Sequence, residues 1–145
     1  MIASNRALAA LALSSLAVIS GGIVAAQEPL TVTDVNGDEV VIEDTSRVAT
    51  LGGVFTETAH ALGAQDQLVA VDASSFYPPE ALEEKPNFGY YRFLSAEPVL
   101  AQEPSLIIGN EETGPAEVVQ QLRDAGVPIL LLPDNNDVQA ARDLI

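Results

Sequence analysis

From residue 47 onward, short apolar runs alternate with segments whose apolar residues recur at helical spacing. The four apolar runs are RVATLG, QLVAVD, SLIIGN and VPILLLPD. Short runs without polar alternation are typical of strands that are buried on both faces, as in a parallel sheet covered by helices. The pattern therefore predicts an α/β fold, with a parallel sheet flanked by helices and joined by right-handed crossovers.

The segments that separate these runs carry helix signals. Gly63 and Gly126 end two of them, and Ser95 is a predicted N-cap. The predicted helices are VFTETAHALG, AEPVLAQEP, GPAEVVQQLRDAG and NNDVQAARDLI. The stretch ASSFYPPEALEEKPNFGYYRFL interrupts the alternation after the second apolar run, and we predict a long loop there.

A different pattern precedes the first apolar run. LTVTDVNGDEVVIED has β-rich arms on both sides of Asn36-Gly37, a pair that is typical of two-residue hairpin turns. The sequence therefore predicts a β-hairpin before the parallel sheet.

The first segment, residues 1–26, has the three-part layout of a secretory signal peptide. Arg6 precedes an apolar run, and Val24-Ala25-Ala26 forms a small-residue cleavage site. A membrane anchor is the alternative, but the run from Ala7 to Ile19 is interrupted by serines and is short for a span. We expect export, cleavage near Ala26 and a mature domain of residues 27–145.

Composition narrows the range of partners. The chain has 21 acidic and 6 basic residues in 145, a formal net charge of −15, so it would repel nucleic acid and anionic lipid. It has no cysteine, which excludes disulfides, thiolate metal sites and a lipid anchor on cysteine. One acidic exported domain held by its hydrophobic core is the expectation.

Ligands of a parallel sheet lie beyond the carboxyl ends of its strands. Gly52, Gly53 and Ser74 follow the first two strands and are candidate ligand contacts, and Gly109–Glu111 follow the third. The glycine pair could hold an anion with the exposed amides of a helix start, or it could simply form a tight turn. The long loop leaves the second strand at this same edge.

The sequence contains no group of residues that is typical of an enzyme active site. His60 is the only histidine, has no partners for a zinc site, and is interpreted as a partly exposed helix residue. No GxSxG nucleophile motif or nucleotide-binding glycine motif is present. The acidic clusters Glu111-Glu112 and Asp134 to Asp137 lack the spacing of an EF-hand and are predicted to be solvated loop ends.

The long loop holds an unusual group of residues for such a chain, in NFGYYRFLSAEP. A tyrosine phenolate can ligate haem iron, and a nearby guanidinium favours its charged form. In an extended loop, Tyr90 and Arg92 would point to one face, so that Arg92 could bond the phenolate or a carboxylate of the ligand. Packing of the loop with tyrosine tips in water is the alternative, and chemistry alone leaves both open.

Several segments of residues 47–133 resemble the periplasmic haem-binding proteins of bacterial haem-uptake ABC transporters. LGG…TE…ALG and EPSLIIG are shared with the broader group that binds siderophores and cobalamin, whereas YPPEA…GYxRxLSAE is more specific to the haem branch. The resemblance implies a Rossmann-like lobe of a two-lobed periplasmic binding protein with haem in the cleft. This chain would supply the N-terminal lobe and lack the C-terminal one.

The resemblance also implies residue roles. Tyr90 matches the tyrosine that ligates haem iron, Arg92 the arginine that supports it, and Tyr91 a variable position in the pocket wall. Glu97 matches a glutamate that docks onto arginines of the membrane permease, although it could be only a favourable charge at a helix start.

The implied function is binding of haem in the periplasm and its delivery to an inner-membrane ABC permease, without enzymatic activity. A carrier of a siderophore or cobalamin, a haem-degrading or redox enzyme, and a truncated non-functional fragment remain as alternatives.

Overall fold

A computed structural model of the chain describes residues 28–133. The predicted signal segment and the predicted helix after residue 133 lie outside the described residues. Within them, two strands form a hairpin and four form a separate sheet. No helix in residues 28–133 has both the length and the apolar character that a membrane span requires.

The four-stranded sheet is parallel throughout, as the apolar runs predicted. Its strands are β3 (Val48–Leu51), β4 (Leu68–Val71), β5 (Leu106–Asn110) and β6 (Ile129–Leu132). They lie in the order β4-β3-β5-β6, so β3 has β4 on one side and β5 on the other. The connection after β3 runs to one side of the sheet, and the connection after β4 returns to the other side. This change of direction opens a crevice at the carboxyl ends of β3 and β5.

Four α-helices connect these strands: α1 (Gly53–Ala61), α2 (Glu80–Glu84), α3 (Ala96–Leu100) and α4 (Ala116–Asp124). Short 3-10 turns cover Gln65–Gln67 and Tyr91–Phe93. The predicted long loop therefore contains helix α2 and the second 3-10 turn, which its composition did not reveal. Helix α3 is shorter than predicted, and Ser95 lies at its N-cap position without a side-chain capping bond.

Two hydrophobic clusters pack against the two faces of the sheet. The larger contains Leu51, Ile107 and Leu122 and brings α4 against one face. The smaller contains Val48 and Leu106, and its neighbours include Ala59 of α1. Helices on both faces, with the second strand of the hairpin on one of them, bury most positions of the strands, which explains why their sequences are largely apolar.

The predicted hairpin is present, but its turn is longer than predicted. Strands β1 (Leu30–Thr33) and β2 (Glu39–Ile42) pair with Thr33 opposite Glu39, which leaves five residues, 34–38, in the loop. The Asp34 carboxylate accepts the backbone N–H groups of Asn36 and Asp38, at 2.8 and 3.0 Å. These bonds stabilise a wide loop instead of the two-residue turn expected for Asn-Gly.

Candidate functional site

The last part of the long loop, residues 87–94 with the two adjacent tyrosines, lies across the carboxyl edge of the sheet, as predicted, and we call it the tyrosine loop. Backbone hydrogen bonds join it to the loop after β5, from Gly114 N–H to the Tyr91 carbonyl (3.0 Å) and from Leu94 N–H to the Gly114 carbonyl (2.9 Å). Another joins Ala73 N–H, just after β4, to the Gly89 carbonyl (2.9 Å). The loop is therefore fixed between the ends of two strands.

Asp72 is the residue that organises this edge. Its side chain is fully buried at the end of β4, and its carboxylate accepts hydrogen bonds from the N–H groups of Gly52 (3.0 Å) and Tyr91 (3.3 Å). It also accepts the Ser74 N–H and hydroxyl, at 3.2 and 2.9 Å. One carboxylate thus holds the strand β3 end, the strand β4 end and the tyrosine loop together.

A chain of buried hydroxyl groups extends this network under α1. The hydroxyl oxygens of Thr50 and Thr56 are 2.7 Å apart, and those of Thr56 and Ser75 are also 2.7 Å apart. The Ser75 hydroxyl then donates to Asp72 at 3.2 Å. Because polar groups in a low-dielectric interior are costly unless bonded, this connected network favours one arrangement of the edge.

Gly52 and Gly53 form the tight turn that was one of the two interpretations of their sequence. Gly52 has a φ of 121°, and a Cβ atom on Gly53 would lie 2.5 Å from the carbonyl oxygen of Ser74. The Gly53 N–H donates to the Ser74 hydroxyl (2.9 Å), while the Gly52 N–H donates to Asp72. The expectation that these two amides are exposed to an anion is wrong, because both are bonded within the protein.

Tyr90 and Tyr91 have opposite environments although they are adjacent. Tyr90 is 38% exposed, whereas Tyr91 is 8% exposed and belongs to the larger hydrophobic cluster. Their ring centroids are 4.6 Å apart, and the ring of Phe93 is 6.2 Å from that of Tyr90. Tyr91 therefore supports the ring of Tyr90 from below, which leaves the Tyr90 phenol at the surface.

Arg92 does not share a face with Tyr90 in the way an extended loop would produce. Residues 91–93 form a 3-10 turn, which directs the guanidinium to the Tyr91 hydroxyl, with Nε donating at 3.2 Å. Arg92 also forms an ion pair with Glu112, whose Oε2 accepts the Tyr91 hydroxyl at 3.4 Å. Glu112 is an exposed loop residue, as predicted, and the ion pair with Arg92 is an additional contact that was not predicted.

Neighbouring side chains shift the pKa values of Tyr90 and Arg92. The neighbouring Tyr91 phenol is the main cause that raises the pKa of Tyr90 above its ordinary value, while the charge of Arg92 acts in the opposite direction. The bond to Tyr91 likewise raises the pKa of Arg92. Without a ligand, Tyr90 is therefore a neutral phenol at physiological pH.

Other exposed aromatic side chains lie in the loop that leaves β4 and next to Tyr90. Phe76 and Tyr77, in the loop that leaves β4, and Phe93 are all largely exposed. We call these three residues and Tyr90 the aromatic rim. An exposed apolar surface of this kind marks a binding site, because water is a poor environment for it.

Two cavities of the described residues lie away from the rim. A cavity of about 500 Å³ lies beside the hairpin, near Asp38 and Arg123, and one of about 280 Å³ lies between α1 and the sheet, near Phe55 and Leu106. Neither is lined by a residue of the rim. A ligand on the rim would therefore have one face covered by this lobe and the other face open.

The remaining predicted residues lie apart from the rim. His60 is half-buried on α1, in line with its interpretation as a helix residue, and its Nε2 has no hydrogen-bond partner. Glu97 is exposed in the first turn of α3. Residues 28–133 contain no group of three or more acidic or histidine side chains that could hold a metal ion.

Asp72 and Glu112 are the functional residues that sequence reasoning missed. Asp72 stands at the end of a strand and before two serines, in VDASS, which is a local signal for a carboxylate that accepts hydroxyl groups. Glu112 gives no such signal, because its partner Arg92 is 20 residues away along the chain.

Comparison with known proteins finds ligand-binding proteins among those similar to this chain. The chain is 37% identical over 86 residues to the Vitamin B12-binding protein of Pectobacterium carotovorum, covering 59% of this chain and 31% of that protein. It is 40% identical to the periplasmic heme-binding protein RhuT from Roseiflexus sp. RS-1, with a TM-score of 0.61 over 70% of this chain and 41% of RhuT.

A periplasmic heme-binding protein from Pseudomonas aeruginosa is also similar, at 42% identity and a TM-score of 0.63 over 68% of this chain and 35% of that one. The chain thus spans about a third of the length of the curated relatives it matches. Residues 48–145, more than half of the chain, match the model of the periplasmic binding protein family. The chain belongs to the periplasmic binding protein family.

Proposed function

We propose that this chain forms the N-terminal lobe of a haem carrier that serves an ABC importer, and that Tyr90 ligates the haem iron. The observation that carries the proposal is the exposed Tyr90 phenol within the aromatic rim, at the carboxyl edge of a parallel sheet. The solved heme-binding relatives support haem as the ligand.

Tyr90 suits this role better than its neighbour does. The Tyr91 hydroxyl is engaged by Arg92 on one side and by Glu112 on the other, and its ring is buried. Ligation by Tyr91 would break both contacts and disrupt the hydrophobic cluster. Tyr90 can bond to iron without such a cost, since its ring rests on Tyr91 and its phenol reaches the surface.

Arg92 supports the ligand through its charge. A ferric ion stabilises the phenolate, and the positive charge of Arg92 lowers the pKa of Tyr90 in the same sense. Phe93 and the other aromatic side chains of the rim would cover one face of the macrocycle. Gly52, Gly53 and Ser74 would shape the edge of the site, with contacts to the ligand through atoms other than the two bonded amides.

The remaining parts of the proposal concern export and transport. Residues 1–26 would direct export to the periplasm and residues 27–145 would form the lobe, while a second lobe would cover the open face of the ligand. Glu97, exposed on α3, would dock onto permease arginines. Reduced uptake by Glu97→Arg in a two-lobed form, with haem binding unchanged, is the expected result; unchanged uptake would exclude docking.

Titration of the purified protein with hemin tests the ligand assignment. Tyr90→Phe removes only the phenol oxygen, so the tyrosinate-to-iron charge-transfer band should vanish and affinity should fall at least about tenfold. Tyr77→Phe is the matched control, since Tyr77 is another exposed tyrosine of the rim. An unchanged hemin spectrum in Tyr90→Phe would refute the assignment.

The proposed carrier role excludes turnover of the ligand. Hemin incubated with the protein and a reductant should keep its tetrapyrrole spectrum, apart from reduction of the iron. Release of an open-chain product would show an enzyme instead.

Binding of a corrinoid is the second candidate, because the curated relatives include Vitamin B12-binding proteins. A corrinoid would use the aromatic rim without a bond to Tyr90. Titration with cyanocobalamin distinguishes the two: saturable binding that is insensitive to Tyr90→Phe, together with no hemin binding, would favour the corrinoid.

A further inference from the structure

Arg92 and Glu112 form an ion pair at the border of the aromatic rim. The side chains of Arg92 and Glu112 are 43% and 40% exposed, so a ligand on the rim can contact the pair. The Glu112 Oε2 atom accepts from both Arg92 and the Tyr91 hydroxyl, and Arg92 Nε donates to that same hydroxyl. The three groups form a closed triangle of hydrogen bonds.

The triangle is held by the backbone on both sides. Glu112 N–H donates to the side-chain oxygen of Asn110 at 3.1 Å, and Gly114 bonds to the tyrosine loop through two backbone hydrogen bonds. Glu112 is therefore positioned against Arg92 by the loop after β5. This distinguishes the pair from two flexible surface side chains that meet by chance.

The pair determines what charge Arg92 presents to a ligand. Arg92 is the cation of the tyrosine loop, whereas Arg47 lies at the start of β3 and Arg123 is paired with Asp34. Without Glu112, its guanidinium would attract a carboxylate. With Glu112 in place, a second carboxylate meets a neutralised cation and a like charge at short range.

We infer that Glu112 is a specificity-determining residue that disfavours ligand carboxylates at Arg92 and directs the carboxylates of a bound tetrapyrrole away from this lobe. The inference rests on the proposed function. Arg92 then acts on Tyr90 without competition from a ligand carboxylate, while the Glu112 charge acts on the pKa of Tyr90 in the opposite direction.

Paired titrations with hemin and with hemin dimethyl ester test this inference, because the ester has the same macrocycle without free carboxylates. Glu112→Gln keeps an acceptor for Arg92 and Tyr91 but removes the charge. The ratio of hemin affinity to ester affinity should rise about three- to fivefold. Glu111→Gln removes the same charge from an adjacent exposed residue and should leave the ratio unchanged.

The ratio of hemin affinity to ester affinity distinguishes repulsion of ligand carboxylates from a change in the pKa of Tyr90. Loss of the Glu112 charge also favours the Tyr90 phenolate, but that change strengthens both ligands equally and cancels. An unchanged ratio in Glu112→Gln, or an equal rise in Glu111→Gln, would overturn the inference while the proposed function stands. Failure of the wild-type protein to bind either ligand would overturn both.

Discussion

Two buried aspartates, Asp34 in the hairpin loop and Asp72 at the end of β4, each hold one region of the domain together. Of the two, only Asp34 forms an ion pair with an arginine among residues 28–133. Asp34 holds the hairpin loop by accepting backbone N–H groups, and Arg123 pairs with its carboxylate at 3.3 Å. Asp72 holds the carboxyl edge by N–H and hydroxyl donors, with no arginine in contact in the described part of the chain.

The difference lies in the partner that the arginine has. At the hairpin, Arg123 compensates a buried charge and so contributes to stability. At the carboxyl edge, neutral donors satisfy the buried carboxylate, and Arg92 remains at the surface, where it pairs with the exposed Glu112. A fold can thus bury a charge in either way, but only the second leaves the arginine at the surface.

Replacement of Asp72 should have the largest effect. Asp72→Ala leaves the N–H groups of Gly52 and Tyr91 and two serine hydroxyls without their acceptor, so the free energy of unfolding should fall by about 3–5 kcal/mol. Urea denaturation measures this change. Asp44→Ala is the control, since Asp44 is exposed and its carboxylate accepts hydrogen bonds from nearby Ser46; an equal loss in both variants would show that Asp72 does not organise the edge.

Removal of the hairpin arginine should have an intermediate effect. Arg123→Gln deprives the buried Asp34 carboxylate of its cation, but the loop N–H bonds remain, so the free energy of unfolding should fall by about 1–2 kcal/mol. Thermal or urea denaturation gives the value. If Arg92→Gln, at the exposed pair, destabilises the protein as much, the contrast between the two regions is wrong.

Arg92→Gln should have the smallest effect on stability, below about 0.5 kcal/mol, because its pair is exposed. Its effect should appear in ligation instead. The iron ligand is the phenolate, so hemin ligation increases as pH rises toward the pKa of Tyr90. Arg92 lowers that pKa, so its removal raises the pKa and moves ligation to higher pH.

Absorbance titration of the hemin complex against pH checks this shift. Lys85→Gln removes one positive charge outside the tyrosine loop and serves as the control. A shift to lower pH in Arg92→Gln, or the same shift in Lys85→Gln, would contradict the role of Arg92.

The fold could be predicted from the sequence because burial on both faces leaves a strong local signal. Val48 to Leu51 and Leu106 to Asn110 are mostly apolar for that reason, whereas the order of the strands, β4-β3-β5-β6, was not predicted. The hairpin turn was mispredicted because Asn-Gly favours two residues, whereas the Asp34 side chain stabilises five.

The sequence places the tyrosine loop but not its side-chain contacts. The resemblance of GYYR to the haem-binding proteins proposes Tyr90 as the iron ligand, and the alternation of apolar runs predicts its place after β4. The partner of Arg92 was not predictable, since Glu112 meets it only after β3 has paired with both β4 and β5. The 3-10 turn at residues 91–93 also has no clear sequence signal, and it directs Arg92 to the Tyr91 hydroxyl and Glu112.

The pairing of β3 with β5 is expected to lower the folding rate of the domain. The contact between Arg47 and Ser105 at the start of these strands joins positions 58 residues apart, while the hairpin joins Leu30 and Ile42. Long-range pairing of this kind slows the search for the native state, because loop closure precedes the contacts that reward it. The tyrosine loop lies between the two strands in sequence, so the site is completed only when the central pair closes.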